Sequence, residues 1–175
     1  PEIFGYHSIL GGPQAAIPDL VKLLEDGGPA HLVGHSLGGL NAVRALAEHA
    51  DLPVERTVCL GSPLCGSGAA ASLARFSLLP LYMGRSAGAL LDGCAAWPER
   101  VDVGMIAGRV PRGRGALLAH CEEDHEGPVA TPETRPPGLR DHLVVDASHT
   151  GLLFSREVSD QTLAFLRSGR FEHQD

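Results

Sequence analysis

One short stretch gathers the residue types that could do covalent chemistry: Gly34-His35-Ser36-Leu37-Gly38, entered from the apolar pair Leu32-Val33. A serine hydroxyl is a weak nucleophile until one group takes its proton and another holds the charge its attack creates. The G-x-S-x-G spacing is that of a nucleophile elbow, a sharp turn between a strand and a helix with serine at its tip. Glycines at positions 34 and 38 are expected where a Cβ would collide with the chain as it doubles back. Such a turn lifts the Ser36 hydroxyl clear of the sheet and aims the Leu37 N–H at a reacting oxygen. It also sets both at the positive end of a helix.

The serine needs a base, and His149 is the natural candidate. It lies in a turn, Asp146-Ala147-Ser148-His149-Thr150-Gly151, behind a short apolar run and ahead of a helical one. His35 adjoins Ser36, but its side chain is expected to point away from the hydroxyl, which makes it a structural residue. His125, in a polar loop, and His142, in a strand, are less suitably placed.

A length of 175 residues suggests one domain, residues 1–175, with room for a real core. The chain is 43% hydrophobic and 20% charged, the balance of a globular protein. Its net charge of −7 comes with no Lys/Arg cluster, which argues against nucleic acid as a partner. No apolar run approaches the ~20 residues needed to cross a membrane. The N-terminus has no signal-like pattern, although the chain begins at Pro1 rather than Met, which suggests that something has been removed. Nothing fixes a compartment, and cytoplasm is the default expectation. Cys59, Cys65, Cys94 and Cys121 form no C-x-x-C pair and read as small free thiols, with Cys59 and Cys65 the one pair that could approach. Nine histidines show no helical H-x-x-x-H spacing, so neither a metal nor another cofactor is expected.

Ile3, Phe4, Tyr6 and Ile9 predict a short strand over 2–9, broken at Gly11-Gly12-Pro13. A helix follows to about Glu25, with Ile17, Leu20, Val21 and Leu24 on one face and Pro18 acceptable only near its first turn. The strand into Ser36 comes next, then a helix to about Ala50 and a strand at Thr57–Leu60 closed by Gly61-Ser62-Pro63. Residues 64–100, rich in small and apolar side chains around 73–83, read as a small helical cap insert or as ordinary packing helices. A strand over 101–110, a polar stretch over 111–140, a strand at His142–Val145 and a helix over 155–168 complete the chain. This alternation predicts an α/β fold, a mostly parallel sheet of about five strands flanked by helices.

Gly34-His35-Ser36-Leu37-Gly38-Gly39, Gly61-Ser62-Pro63-Leu64-Cys65-Gly66-Ser67 and the His149 segment together resemble the α/β-hydrolase superfamily, and within it bacterial lipase- and esterase-like serine hydrolases. The resemblance runs over nearly the whole chain. It implies a catalytic triad in the order Ser36, acid, His149, with the acid in an N-D-G-x-V-like stretch. Here that stretch is His125-Glu126-Gly127-Pro128-Val129. Glu126 takes the acid position, with Asp124 the alternative, and Asp141 and Asp146 less suited. The resemblance also implies strands before residue 1 and a loop donating a second oxyanion-hole N–H, and nothing in residues 1–30 matches them. The chain therefore reads as shortened relative to the family. Either its first strand moves in beside the strand of Ser36, or a second copy supplies the missing edge. A bare edge would favour a homodimer.

The implied function is hydrolysis of carboxylic esters, of lipase or esterase type, on a small ester or lipid-like substrate. Acyltransferase or thioesterase chemistry on the same fold is the alternative. So is a shortened, weakly active hydrolase that serves as a binding protein.

Overall fold

Each helix and strand begins or ends where the local chemistry dictates, in a computed structural model that describes residues 1–6, 12–66, 86–110 and 134–173. Helix α1 (Gly12–Gly27) starts on a glycine at φ 61° and buries Ile17, Leu20, Val21 and Leu24, a helical stripe. Strand β1 (Ala30–His35) leads into α2 (Leu37–Glu48), and β2 (Val54–Leu60) follows. A short helix α3 (Ala87–Asp92), strands β3 (Asp102–Gly108) and β4 (Asp141–Val145), a single 3-10 turn at Gly151–Leu153 and helix α4 (Arg156–Ser168) complete the described elements. Helix α4 has matched ends. Ser155 accepts the Val158 N–H at its start, and Gly169 closes it in the left-handed conformation at φ 76°.

The four strands are all parallel, in the order β1-β2-β3-β4. Alternation along them separates two faces. Cys59, Val103 and Met105 meet Leu40 and Val43 of α2 on one face. Val58, Leu60 and Ile106 meet Val158 and Phe165 of α4 on the other. Gly104 of β3 makes room for that contact, because a Cβ there would lie 2.6 Å from the Phe165 ring. Phe171 packs against Phe165 with ring centroids 4.9 Å apart. The Asp141 carboxylate holds this closing segment by accepting the Phe171 N–H at 2.8 Å and His173 Nε2 at 2.9 Å.

Two expectations are corrected. Residues 1–6 form no strand, so the described sheet has four strands rather than five. The alternation of apolar residues there marks a face, but a strand also needs a ladder partner, and Phe4 and Tyr6 stack on each other instead. Pro18 lies well inside α1, on its solvent side, where water can reach the carbonyl its missing N–H leaves unbonded. In the described part of the 64–100 stretch, Ala89, Cys94 and Trp97 pack onto the Leu40–Met105 core. Residues 67–85, the bulk of the proposed cap, lie outside the described residues.

Among the described residues, β1 is paired on one edge only. Its α4-side face is thinly covered, with Val33 52% exposed. A trough of about 610 Å³ runs beside β1 from Gly27 and Gly28 to Gly38, walled by Ile3, Phe4 and Tyr6.

Two stability outcomes follow. Gly104→Ala is expected to destabilise by about 1–3 kcal/mol through overpacking against Phe165, read as a lowered urea midpoint. Burial by itself would raise the Asp141 pKa, but the Phe171 N–H, His173 and the His142 N–H outweigh it and hold the carboxyl below its ordinary value. A depressed folded-state pKa stabilises the protein above the unfolded value of about 4 and is lost as pH falls through the folded one. The urea midpoint should therefore fall between pH 6 and pH 3 by more in the wild type than in Asp141→Asn.

Candidate active site

Ser36 joins β1 to α2 with no spacer. Its N–H donates to the Leu60 carbonyl at 2.8 Å, the last rung between β1 and β2. Its own carbonyl accepts the N–H of Gly39 at 3.1 Å and of Leu40 at 3.4 Å, the first bonds of α2. Meeting both demands forces φ 54° and ψ −125°, and Ser36 is the one non-glycine residue with positive φ among those described. Such a backbone stores about 1–3 kcal/mol and persists only where the surroundings over-determine it. Leu37 opens α2, so its N–H belongs to the first-turn donors that a helix leaves unused.

The close approach behind this turn is between Gly34 and Gly39. A Cβ on Gly34 would lie 2.5 Å from the Gly39 Cα, and one on Gly39 would strike the Ser62 hydroxyl. Gly38 contributes its backbone to this contact but, contrary to the sequence expectation, its own missing side chain does not matter there, since a Cβ on it would meet nothing within 4 Å among the described residues. In α2 residue 39 turns inward under the turn and residue 38 faces outward, so the second essential glycine stands one position later than the G-x-S-x-G spacing suggests.

His149 lies in the turn between β4 and α4 and is 9% exposed. The turn is fixed on both sides: Val110 N–H bonds the Ala147 carbonyl at 3.2 Å, and Leu152 N–H bonds the Ser148 carbonyl at 2.9 Å. Alternation along β1 puts His35 on the α4 face, and there it meets His149. Its Nε2 donates to the His149 carbonyl at 3.0 Å, and the two rings lie with centroids 4.6 Å apart at 47°. A carbonyl can only accept, so His35 carries a proton on Nε2. His149 is thus brought against the residue next to Ser36.

The other titratable candidates sit elsewhere. His142 is on β4, with β2 and β3 between it and β1. Its Nε2 lies 3.0 Å from the Thr134 hydroxyl, and burial, helped by Arg135, pushes its pKa down to about 4. Asp146 is paired with Arg109, the Nη2–Oδ2 distance being 2.8 Å, and Asp141 is held by the closing segment. Glu126, Asp124, His125 and Cys121 lie outside the described residues. Cys59 and Cys94 are thiols, and burial raises Cys59 to about 12 and Cys94 to about 11. Among the described residues no group of His, Cys, Asp or Glu could hold a metal ion, and no helix is long and apolar enough to cross a membrane.

Two contributors were not singled out from sequence. Ser62 is fully buried beneath Gly39. Asn41, 3% exposed, lines the trough with neither side-chain polar atom in a well-formed hydrogen bond. Burial raises the pKa of the neighbouring Tyr6 hydroxyl, and the Asn41 amide partly offsets it. A polar side chain amid Leu40, Ala42 and Val43 was the available signal for Asn41.

Neither a protein-family model nor a curated protein sequence matches the chain. Solved structures do. A lipase of Bacillus licheniformis in its mature form superposes with a TM-score of 0.67 at 20% identity, over 91% of this chain and 74% of its own. In its propeptide form the values are 0.69 and 19%, over 95% of this chain and 42% of its own. A metagenomic carboxyl esterase gives 0.64 at 17% identity, over 81% of this chain and 53% of its own. A bromoperoxidase of Bacillus anthracis gives 0.56 at 15%, over 94% and 76%. The chain thus spans about half the length of the propeptide-form lipase and of the esterase. Its fold is the α/β-hydrolase fold.

Because the strain at Ser36 is in the backbone, Ser36→Gly should be more stable than Ser36→Ala by about 1 kcal/mol, measured as the difference in urea midpoints.

Proposed function

We propose that the protein is a serine hydrolase that cleaves carboxylic esters, with Ser36 as nucleophile and His149 as general base. The observation that carries this reading is the conjunction of a strained, non-glycine Ser36 at the strand–helix junction with His149 against its neighbour His35. Backbone strain at one serine, in a fold whose neighbours include a lipase and a carboxyl esterase, fits a nucleophile held ready for attack.

In this reading Ser36 Oγ attacks the ester carbonyl carbon and His149 takes the hydroxyl proton. The Leu37 N–H, at the start of α2, stabilises the oxyanion. Collapse of the tetrahedral intermediate expels the alcohol, which leaves with the proton from His149. Water, deprotonated by His149, then attacks the acyl-enzyme, releasing the carboxylic acid and returning the proton to Ser36. Glu126, with Asp124 as the alternative, orients His149 and stabilises its charged form. The acyl group is apolar in this proposal, because the sequence over 73–83 is rich in apolar residues. Acyl transfer and thioester cleavage use the same steps with another acceptor or leaving group.

The trough beside β1 supports a second reading, a hydrolase-derived binding protein with little turnover. One assay separates the two. p-Nitrophenyl esters of increasing acyl length should be hydrolysed by the wild type, with a preferred chain length. Ser36→Ala and His149→Ala should each lose at least about 10³-fold in kcat. Equal rates for wild type and Ser36→Ala would refute the hydrolase reading and leave the binding one.

A further inference from the structure

We infer that His35 is a positioning residue for His149, fixing the backbone of the turn that presents the base. The inference rests on the reading of Ser36 and His149 given above and deepens it.

The root of His35 is rigid. It is the last residue of β1, in register with Leu60, which is in turn in register with Ile106. The rung that follows, from Ser36 N–H to the Leu60 carbonyl, locks the strand end at the same point. From this root the imidazole crosses 114 residues of sequence to donate its Nε2–H to the His149 carbonyl at 3.0 Å. Bonds from Val110 to Ala147 and from Leu152 to Ser148 hold the residues preceding position 149. The His35 bond holds the carbonyl of residue 149 itself.

Two contacts join His35 to the turn, and the hydrogen bond is the one that carries the positioning. The hydrogen bond sets the height and tilt of the peptide that carries the base. The ring contact, centroids 4.6 Å apart, accompanies it. Both originate one residue from Ser36, so the nucleophile and the reference point for its base share one strand end. Misplacing a reacting group by ~1 Å can cost on the order of 10²-fold in rate. His35 exchanges no proton with the substrate in this scheme. Its effect passes through His149.

Donor and ring can be separated. His35→Gln retains an amide donor near the Nε2 position without the ring, and His35→Phe retains a ring without the donor. With p-nitrophenyl butyrate, His35→Phe should lose about 10-fold or more in kcat with KM within about 2-fold of wild type, whereas His35→Gln should stay within about 3-fold in kcat. Thermal melts of each variant fix a temperature at which all are folded. His35→Phe at wild-type kcat would overturn the inference, as would His35→Gln falling as far as His35→Phe. If His35→Phe does not fold, His35→Gln decides alone: a kcat within about 3-fold of wild type supports the bond, and a loss beyond about 10-fold overturns it. Absence of Ser36-dependent turnover in the wild type would overturn the hydrolase reading beneath it, and this inference with it. Wild-type turnover separates that failure from failure of the His35 role alone.

Discussion

The peptide unit of Ser36 has to end a ladder and begin a helix at once. Its N–H completes β1 against β2, and its carbonyl starts α2. No ordinary backbone conformation satisfies both, and φ 54° results. Everything close to the turn serves that requirement. Gly34 and Gly39 let strand and helix touch backbone to backbone, and Ser62 and Cys59 fill the space beneath Gly39. The strain is borne by a surround of fully buried residues, among them Leu40, Val43, Cys59 and Met105.

The second half of the candidate site is tied to the first by the sheet. Strand alternation sends His35 to the α4 face, and the β4–α4 connection carries His149 to that same face. That connection is anchored at both ends. Arg109 grips Asp146 where it leaves β4, and Leu152 sits in the core with Val158 and Phe165 where it enters α4. The distance from β1 to β4 across the sheet is thus closed by a loop of fixed shape, and the two imidazoles meet over the end of β1.

Much of this was legible. The alternation of apolar runs and helical stripes marked the strands that became β1 to β4 and the helix α4, because each buries a patterned face. Ser36 and His149 stood out because their residue types and flanks are restrictive. The strand expected over 2–9 is not formed in its described part, 2–6, because pairing is a long-range property that local alternation does not encode. Gly38 and Gly39 are adjacent and chemically identical, and only the helix phase under the turn separates the crowded one from the open one. The partnership of His35 with His149 depends on bringing together residues far apart in the chain, which no local pattern announces. Glu126 and Asp124 are the acid candidates on motif register, in a stretch where Gly127 and Val129 match the pattern and Glu replaces the usual aspartate.

The conformation of Ser36 also bears on how this chain can change by mutation. At a positive φ, glycine is the residue that relaxes the backbone, and a single replacement of serine by glycine removes the hydroxyl and the strain together. The most stable sequence for this frame and the sequence able to do covalent chemistry therefore differ at position 36. Drift under selection for folding alone would run downhill toward a protein of the same shape without that hydroxyl. Gly34 and Gly39 have no such freedom, since a Cβ at either meets backbone or the buried Ser62 hydroxyl. The frame would thus tolerate loss of the hydroxyl at position 36 but not a side chain at position 34 or 39.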